Sequence, residues 1–217
     1  MGENAEIPGV LRDGDGHARC AWCGTDPLYR AYHDDEWGTP TASDRYLFEK
    51  LCLEGFQAGL SWITILRKRE AFRAGFANFE PAVLATFGPA DVERLVQDAG
   101  IVRHRGKIES TINNARRALE LIDEAGTLAA FLWQFEPDPA TRPARITRES
   151  LTGLTTSPES VALSKALRKR GWSFVGPTTM YAFLQAVGIV NDHLEGCDAR
   201  PRALAARAAF PVPVLRS

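Results

Sequence analysis

Apolar residues recur at spacings of three and four along most of the chain, and clean two-residue alternation bounded by hairpin turns is missing, so the pattern predicts an all-α fold. A helix is expected over 43–57, after Thr39-Pro40-Thr41, with Thr41 and Asp44 resembling a capping box. Another opens after Gly88-Pro89. The longest spans 104–124, where Ile108, Ile112, Ala115, Leu119 and Ile122 make one stripe while Lys107, Arg116 and Arg117 face elsewhere. Residues 141–156 are polar and contain Pro and Gly, which reads as a crossover loop. The helix after it has both ends marked: Ser157 as N-cap, Pro158 at the first helical position, Lys165, Arg168, Lys169 and Arg170 toward the end, and Gly171 as the stop. Residues 1–18 carry no periodicity and read as a disordered leader, and 198–217 as a peripheral tail, which leaves one helical domain over 19–197.

The segment 157–188 has the form of a helix-hairpin-helix. Gly171-Trp172-Ser173-Phe174-Val175-Gly176 joins the marked helix to one with Pro177 at its first position and Met180, Phe183, Leu184 and Val187 as its stripe. Glycines let a backbone approach a duplex, and free N–H groups at a helix start bind phosphate. Gly171, Gly176 and Thr178, with Lys169 and Arg170 beside them, are the candidate DNA-backbone contacts; a plain helical hairpin with glycine caps is the competing reading.

One position breaks the apolar pattern. Glu54 falls on the face of Leu47 and Leu51, so its carboxylate should point inward, where desolvation raises a pKa and often marks a functional acid or acceptor. The alternative is a helix-end Glu satisfied locally. The string 53–62, Leu-Glu-Gly-Phe-Gln-Ala-Gly-Leu-Ser-Trp, keeps small residues near Glu54 and brings Trp62, and upstream Trp22, Tyr29, Tyr32 and Trp37 crowd a short segment. Stacking rings with a few polar groups build base-sized pockets, although a ring taken alone is more often core.

Charge and composition narrow the class. Lys and Arg total 26 against 27 Asp and Glu, so no global basic field exists and DNA contact has to come from local patches. No apolar run reaches the ~20 residues of a membrane span, and the N-terminus lacks a signal-peptide core, so a soluble, cytoplasmic protein with no membrane partner is expected. Four cysteines are too few for a secreted disulfide scaffold. Cys20 and His33 near the start, with His193 and Cys197 at i, i+4 on one helical turn near the end, make a Cys2His2 set; a Zn²⁺ ion there would clip the two ends with no open position for water. Cys20-Ala-Trp-Cys23 is the rival, as a local pair of thiolates or a redox pair.

Taken together, Arg19-Cys20-Ala21-Trp22, the run 26–38 from Asp26-Pro27-Leu28-Tyr29 to Trp37-Gly38, the 53–62 string, 98–108, the hairpin and Val190-Asn191-Asp192-His193 resemble the type I, constitutive 3-methyladenine DNA glycosylase family over Arg19 to Cys197. The resemblance implies a helix-hairpin-helix glycosylase fold and a structural zinc clip on Cys20, His33, His193 and Cys197, without Cys23. It also implies a base pocket of Glu54, Tyr32 and Trp62 with Trp22 and Trp37 as wall residues. A monomer that flips an alkylated base from double-stranded DNA and releases free 3-methyladenine follows as the expectation, with Glu54 as the catalytic group and Asp192 a distant second. Pro177-Thr178 stand where lyase-type relatives carry a Schiff-base lysine, which favours a monofunctional hydrolase. A noncatalytic DNA-binding module and a zinc hydrolase with a catalytic metal are the rival classes.

Overall fold

The computed structural model describes residues 7–12 and 14–216. In chain order the elements are β1 (Val10–Arg12), β2 (Ala18–Cys20), α1 (Pro27–Ala31), α2 (Asp44–Gln57), α3 (Trp62–Arg67), α4 (Arg69–Gly75), α5 (Pro81–Leu84), α6 (Pro89–Gln97), α7 (Arg105–Ala125), α8 (Leu128–Leu132), α9 (Arg148–Leu151), α10 (Pro158–Lys169), α11 (Pro177–Ala186) and α12 (Ala199–Ala209). They fall into two units, Met1–Pro40 with Glu136–Thr155 and Leu184–Phe210, and Thr41–Phe135 with Thr156–Phe183 and Pro211–Ser217.

The first unit carries both ends of the resemblance and two elements the periodicity does not reveal. β1, inside the stretch read as a disordered leader, pairs antiparallel with β2, Val10 opposite Cys20; residues 1–6 and 13 of that leader lie outside the described residues. Three-residue strands are too short to give alternation, and Gly16, with φ +85°, supplies part of the turn. The tail is likewise more than peripheral. α12 buries Ala199 and Ala203, and Arg207 grips Glu136 through two bonds of 2.6 Å. A small core of Cys20, Ile146, Leu194, Cys197 and Ala199 closes this unit. Gly188, with φ +73°, lets the chain pass against residues 38–40, where an added Cβ would stand 2.5 Å from Pro40 N.

In the second unit α2 and α7 carry the core. α2 begins one residue later than its apolar pattern suggests, because the Ser43 side chain accepts from Tyr46 N and is the true cap. Thr41 instead accepts from Ser43 N, and Asp44 caps α8 by accepting from Ala129 N. Phe56, Phe72, Phe76 and Phe79 interlock, with successive ring centroids 4.6 to 6.1 Å apart, and each fully buried ring contributes about 1.5–3 kcal/mol. α7 buries Ile108, Ile112 and Ala115 as its spacing predicts, but Leu119 is exposed at 37% and Leu121 takes the inner position. The crossover stretch 141–156 contains the single turn α9. α10 starts on Ser157 with Ser160 completing a capping box. No described helix is long and apolar enough to cross a membrane.

Candidate functional site

In the first unit, four buried side chains from near the two chain ends converge: the Sγ atoms of Cys20 and Cys197 and ring nitrogens of His33 and His193 lie within 4.8 Å of one another. Cys197 Sγ stands 3.5 Å from His33 Nε2 and 3.7 Å from His193 Nδ1, and Cys20 Sγ 3.9 Å from the same Nδ1. Tetrahedral zinc with bonds of about 2.0–2.3 Å spaces its donors about 3.3–3.8 Å apart, so this donor set fits such a cation. The outer nitrogens are tied as metal-bound imidazoles usually are: His33 Nδ1 is 2.7 Å from Asp34 Oδ1, and His193 Nε2 is 2.9 Å from the Trp37 carbonyl. Arg19 in turn holds Asp34 at 2.8 Å. Of the two thiols Cys197 ionises first, because Cys20 donates its S–H toward it and both imidazoles face it. The His193–Cys197 spacing is met by a turn closed at Gly196, φ +84°, rather than by a helix. Cys23 stays outside the cluster, its thiol directed to the Gly24 carbonyl.

The aromatic segment wraps this cluster. Trp22 packs edge-on to His33 at 5.2 Å and Trp37 to His193 at 4.7 Å, while Trp22 keeps 39% of its surface exposed. Tyr32 opens a π-helical turn, Tyr32–Glu36, that follows α1 and carries His33; its buried ring lies 6.5 Å from that of Tyr29. Asp192, the neighbour of His193, is 2% exposed and accepts from Arg142 and, at 2.8 Å, from Gln185 Nε2.

In the second unit, α2 carries two buried glutamates with opposite circumstances. Glu49 is bonded by Arg45 at 2.8 Å and Arg73 at 2.9 Å, one guanidinium to each oxygen. Glu54, 4% exposed, has no hydrogen-bond partner for its Oε2 among the described residues. Burial pushes its carboxyl up to about 8, with the Lys50 charge acting in the other direction. The first acid ties α2 to α4, whereas the second keeps a buried oxygen without a partner among the described residues. Trp62 opens α3 and is buried, after the exposed turn 58–61. That turn is anchored from α7, where the Lys107 ammonium donates to the Phe56 and Ala58 carbonyls at 2.8 and 2.7 Å. Lys107 therefore faces inward, contrary to its place outside the apolar stripe: its long stem reaches the orphan carbonyls at the end of α2.

The hairpin is also held from α7. Asn114 exchanges two hydrogen bonds with the Ser173 backbone, each 3.0 Å, and Ser110 Oγ meets Ser173 Oγ at 2.6 Å. Asn113 donates to the Gly171 carbonyl at 2.9 Å. Phe174 takes a left-handed φ of +55° and crosses α2 at Gly55, where a Cβ would meet Phe174 Cβ at 3.3 Å. Gly171, Lys169 and Thr178 are exposed, and Arg170 is committed to Glu124 at 2.7 Å and to the Phe131 face.

The match to the methyladenine glycosylase family model runs over residues 22–201. The chain belongs to the methyladenine glycosylase family. DNA-3-methyladenine glycosylase 1 of Escherichia coli (strain K12) is 52% identical over 184 residues, 84% of this chain and 97% of that protein. A crystal structure of 3-methyladenine DNA glycosylase I superposes with a TM-score of 0.77 at 50% identity, covering 84% of this chain and all of the other. The Staphylococcus aureus 3-methyladenine DNA glycosylase I, studied for recognition of 3-methyladenine, gives 0.78 at 36% identity over 84% of this chain and 96% of its own. β1 and most of α12 fall outside the span that the family model matches.

All four expected ligands are brought together, Glu54 and Trp62 sit in one unit on α2 and α3, and Tyr32 belongs to the other with Trp22 and Trp37 against the imidazoles. Asn114, Ser110 and Lys107, which position the hairpin and the turn after α2, escape the periodicity argument. Their signal is a polar stripe of its own, 107, 110, 111 and 114, at helical spacing beside the apolar one.

Proposed function

We propose that this protein is a monofunctional DNA glycosylase that flips 3-methyladenine out of double-stranded DNA and hydrolyses its N-glycosidic bond, the first step of base excision repair. The observation that carries the reading is Glu54: a carboxyl group inside the protein whose Oε2 has no partner among the described residues, one loop away from an indole. N3-methylation makes the base cationic and weakens its bond to the sugar, so selection of charge and position does more than acid catalysis. Glu54 accepts from the exocyclic amine, Trp62 stacks on the positive ring, and Tyr32, as the resemblance implies, meets a ring edge. Trp22 and Trp37 are wall residues, as the resemblance implies. Gly171, Gly176, Thr178 and Lys169 contact phosphates at the start of α11, with Arg170 contributing field from its place against Glu124.

Asp192 is already bonded to Arg142 and Gln185 inside the fold, which leaves Glu54 as the better candidate for the reacting side of the base. Zn²⁺ is the cation proposed for Cys20, His33, His193 and Cys197, where it would fasten the chain ends and leave no coordination position for water. The protein acts as a monomer in the cytoplasm, with free 3-methyladenine as product. Single-turnover excision from methylated duplex DNA tests the assignment: E54Q, Y32F and W62A should each slow release of 3-methyladenine at least about tenfold with zinc content unchanged. Wild-type kinetics in E54Q would remove Glu54 from the site.

A further inference from the structure

Lys50 is the most unusual charge in the second unit. It is completely buried on α2, and its Nζ lies 5.3 Å from the ring centroid of Trp62 and 5.2 Å from that of Tyr46. Enclosing an ammonium is costly unless it is paired or hydrogen-bonded. It stands one helical turn before Glu54, on the same face, in the order lysine then glutamate, which is the weaker arrangement for supporting a helix. Helix stability does not explain it.

Glu49 shows what a purely structural buried acid looks like here, with a guanidinium on each oxygen. Glu54 Oε2 has no such contact among the described residues, and the carboxyl feels Lys50 through space. Other described groups also reach this stretch. α7 presents Lys107, whose ammonium is bonded to the Phe56 and Ala58 carbonyls; α3 presents the indole of Trp62; the hairpin presents the Phe174 backbone at Gly55; Tyr46 adds a phenol from α2 itself. Lys50 is the charge that acts on the Glu54 carboxyl.

We propose that Lys50 is a positioning and specificity residue of the base site: an ammonium enclosed against the indole that keeps the Glu54 carboxyl ionisable and so ready for a cationic purine. The inference rests on the reading of Glu54 as the base acceptor. Without a neighbouring cation, a carboxyl this deeply buried stays protonated, presents an O–H rather than an acceptor, and loses its attraction for a positive base. With Lys50 in place, entry of the methylated base adds a second positive charge and completes the ionisation, whereas neutral adenine brings none.

The test is single-turnover excision of 3-methyladenine from methylated duplex DNA, followed from about pH 6 to about pH 10, for the wild type, K50M, K50R and E54Q. K50M should move the acidic limb of the profile to higher pH by about one unit, cutting excision near neutrality about tenfold and restoring it in alkali. K50R should return the limb toward the wild-type position, and adding K50M to E54Q should cause no further loss. K50Q carries the same prediction as K50M should the latter fold poorly. A K50M profile lowered by one factor at every pH, or superimposed on the wild type, overturns the proposal if E54Q is impaired. An unimpaired E54Q would instead overturn the assignment of Glu54 itself.

Discussion

Replacing Glu54 with Gln should cost activity and gain stability, and the gain should depend on pH in a direction that the burial of the side chain dictates. The folded carboxyl titrates at about 8 against an ordinary 4.5. Between those values the folded protein holds a proton that the unfolded chain has released, so this group's contribution is fully present below 4.5 and is lost as pH rises toward 8. At about 1.4 kcal/mol per pH unit, the loss between the ordinary value and pH 7 is about 3 kcal/mol, most of it accumulating above pH 5. E54Q has no such titration. Its stability relative to the wild type should therefore rise by about 2–3 kcal/mol from pH 5 to pH 7, which at this chain length is about 5–10 °C in Tm. Differential scanning calorimetry at several pH values, with metal content held equal, reads this directly. Melting temperatures of the two proteins that run parallel from pH 5 to pH 8 would refute the buried, proton-holding carboxyl. The same linkage means that kcat/KM for a cationic base should climb as pH rises toward about 8 in the wild type and lose that limb in E54Q.

Other parts of the structure make separate predictions. D192N leaves the Arg142 guanidinium facing a neutral amide and should cost about 3 kcal/mol or more in chemical denaturation, with an unchanged pH profile of excision in the cold; a shifted profile would return Asp192 to the catalytic machinery. K107M removes the ammonium that closes the end of α2 and should cost about 1–3 kcal/mol while raising amide exchange across 57–61. G188A puts a Cβ against the Pro40 backbone at a left-handed φ, and a loss of about 3 kcal/mol or more should appear in thermal melts. C197S should lower bound zinc measured by a chromophoric chelator and drop Tm, whereas C23S should do neither.

Local chemistry was legible wherever its determinants are close in sequence. Ser157 and Pro158 announce the start of α10, Gly171 its end, and the inward place of Glu54 follows from counting along one helix. The four residues of the Cys2His2 cluster stand out by type, although the turn that delivers Cys197 reads as a helix because i, i+4 spacing has two geometric solutions. What stayed hidden depends on distant partners. Lys107 and Lys50 look like surface charges until α7 and α3 are packed on α2, since a long aliphatic stem fits an inward position as well as an outward one. Leu119 looks like core for the opposite reason: spacing alone does not say where a stripe runs out of partners. β1 needs β2 to exist, and α12 needs Glu136 and the small core around Cys20 and Cys197.

The measurement that bears most directly on the account is chromatography of the bases freed when the purified protein meets methylated duplex DNA. Free 3-methyladenine with no unmodified adenine, and a matching loss in E54Q at equal DNA binding, is the predicted result. DNA bound without release of any base, or adenine released alongside its methylated form, would contradict it.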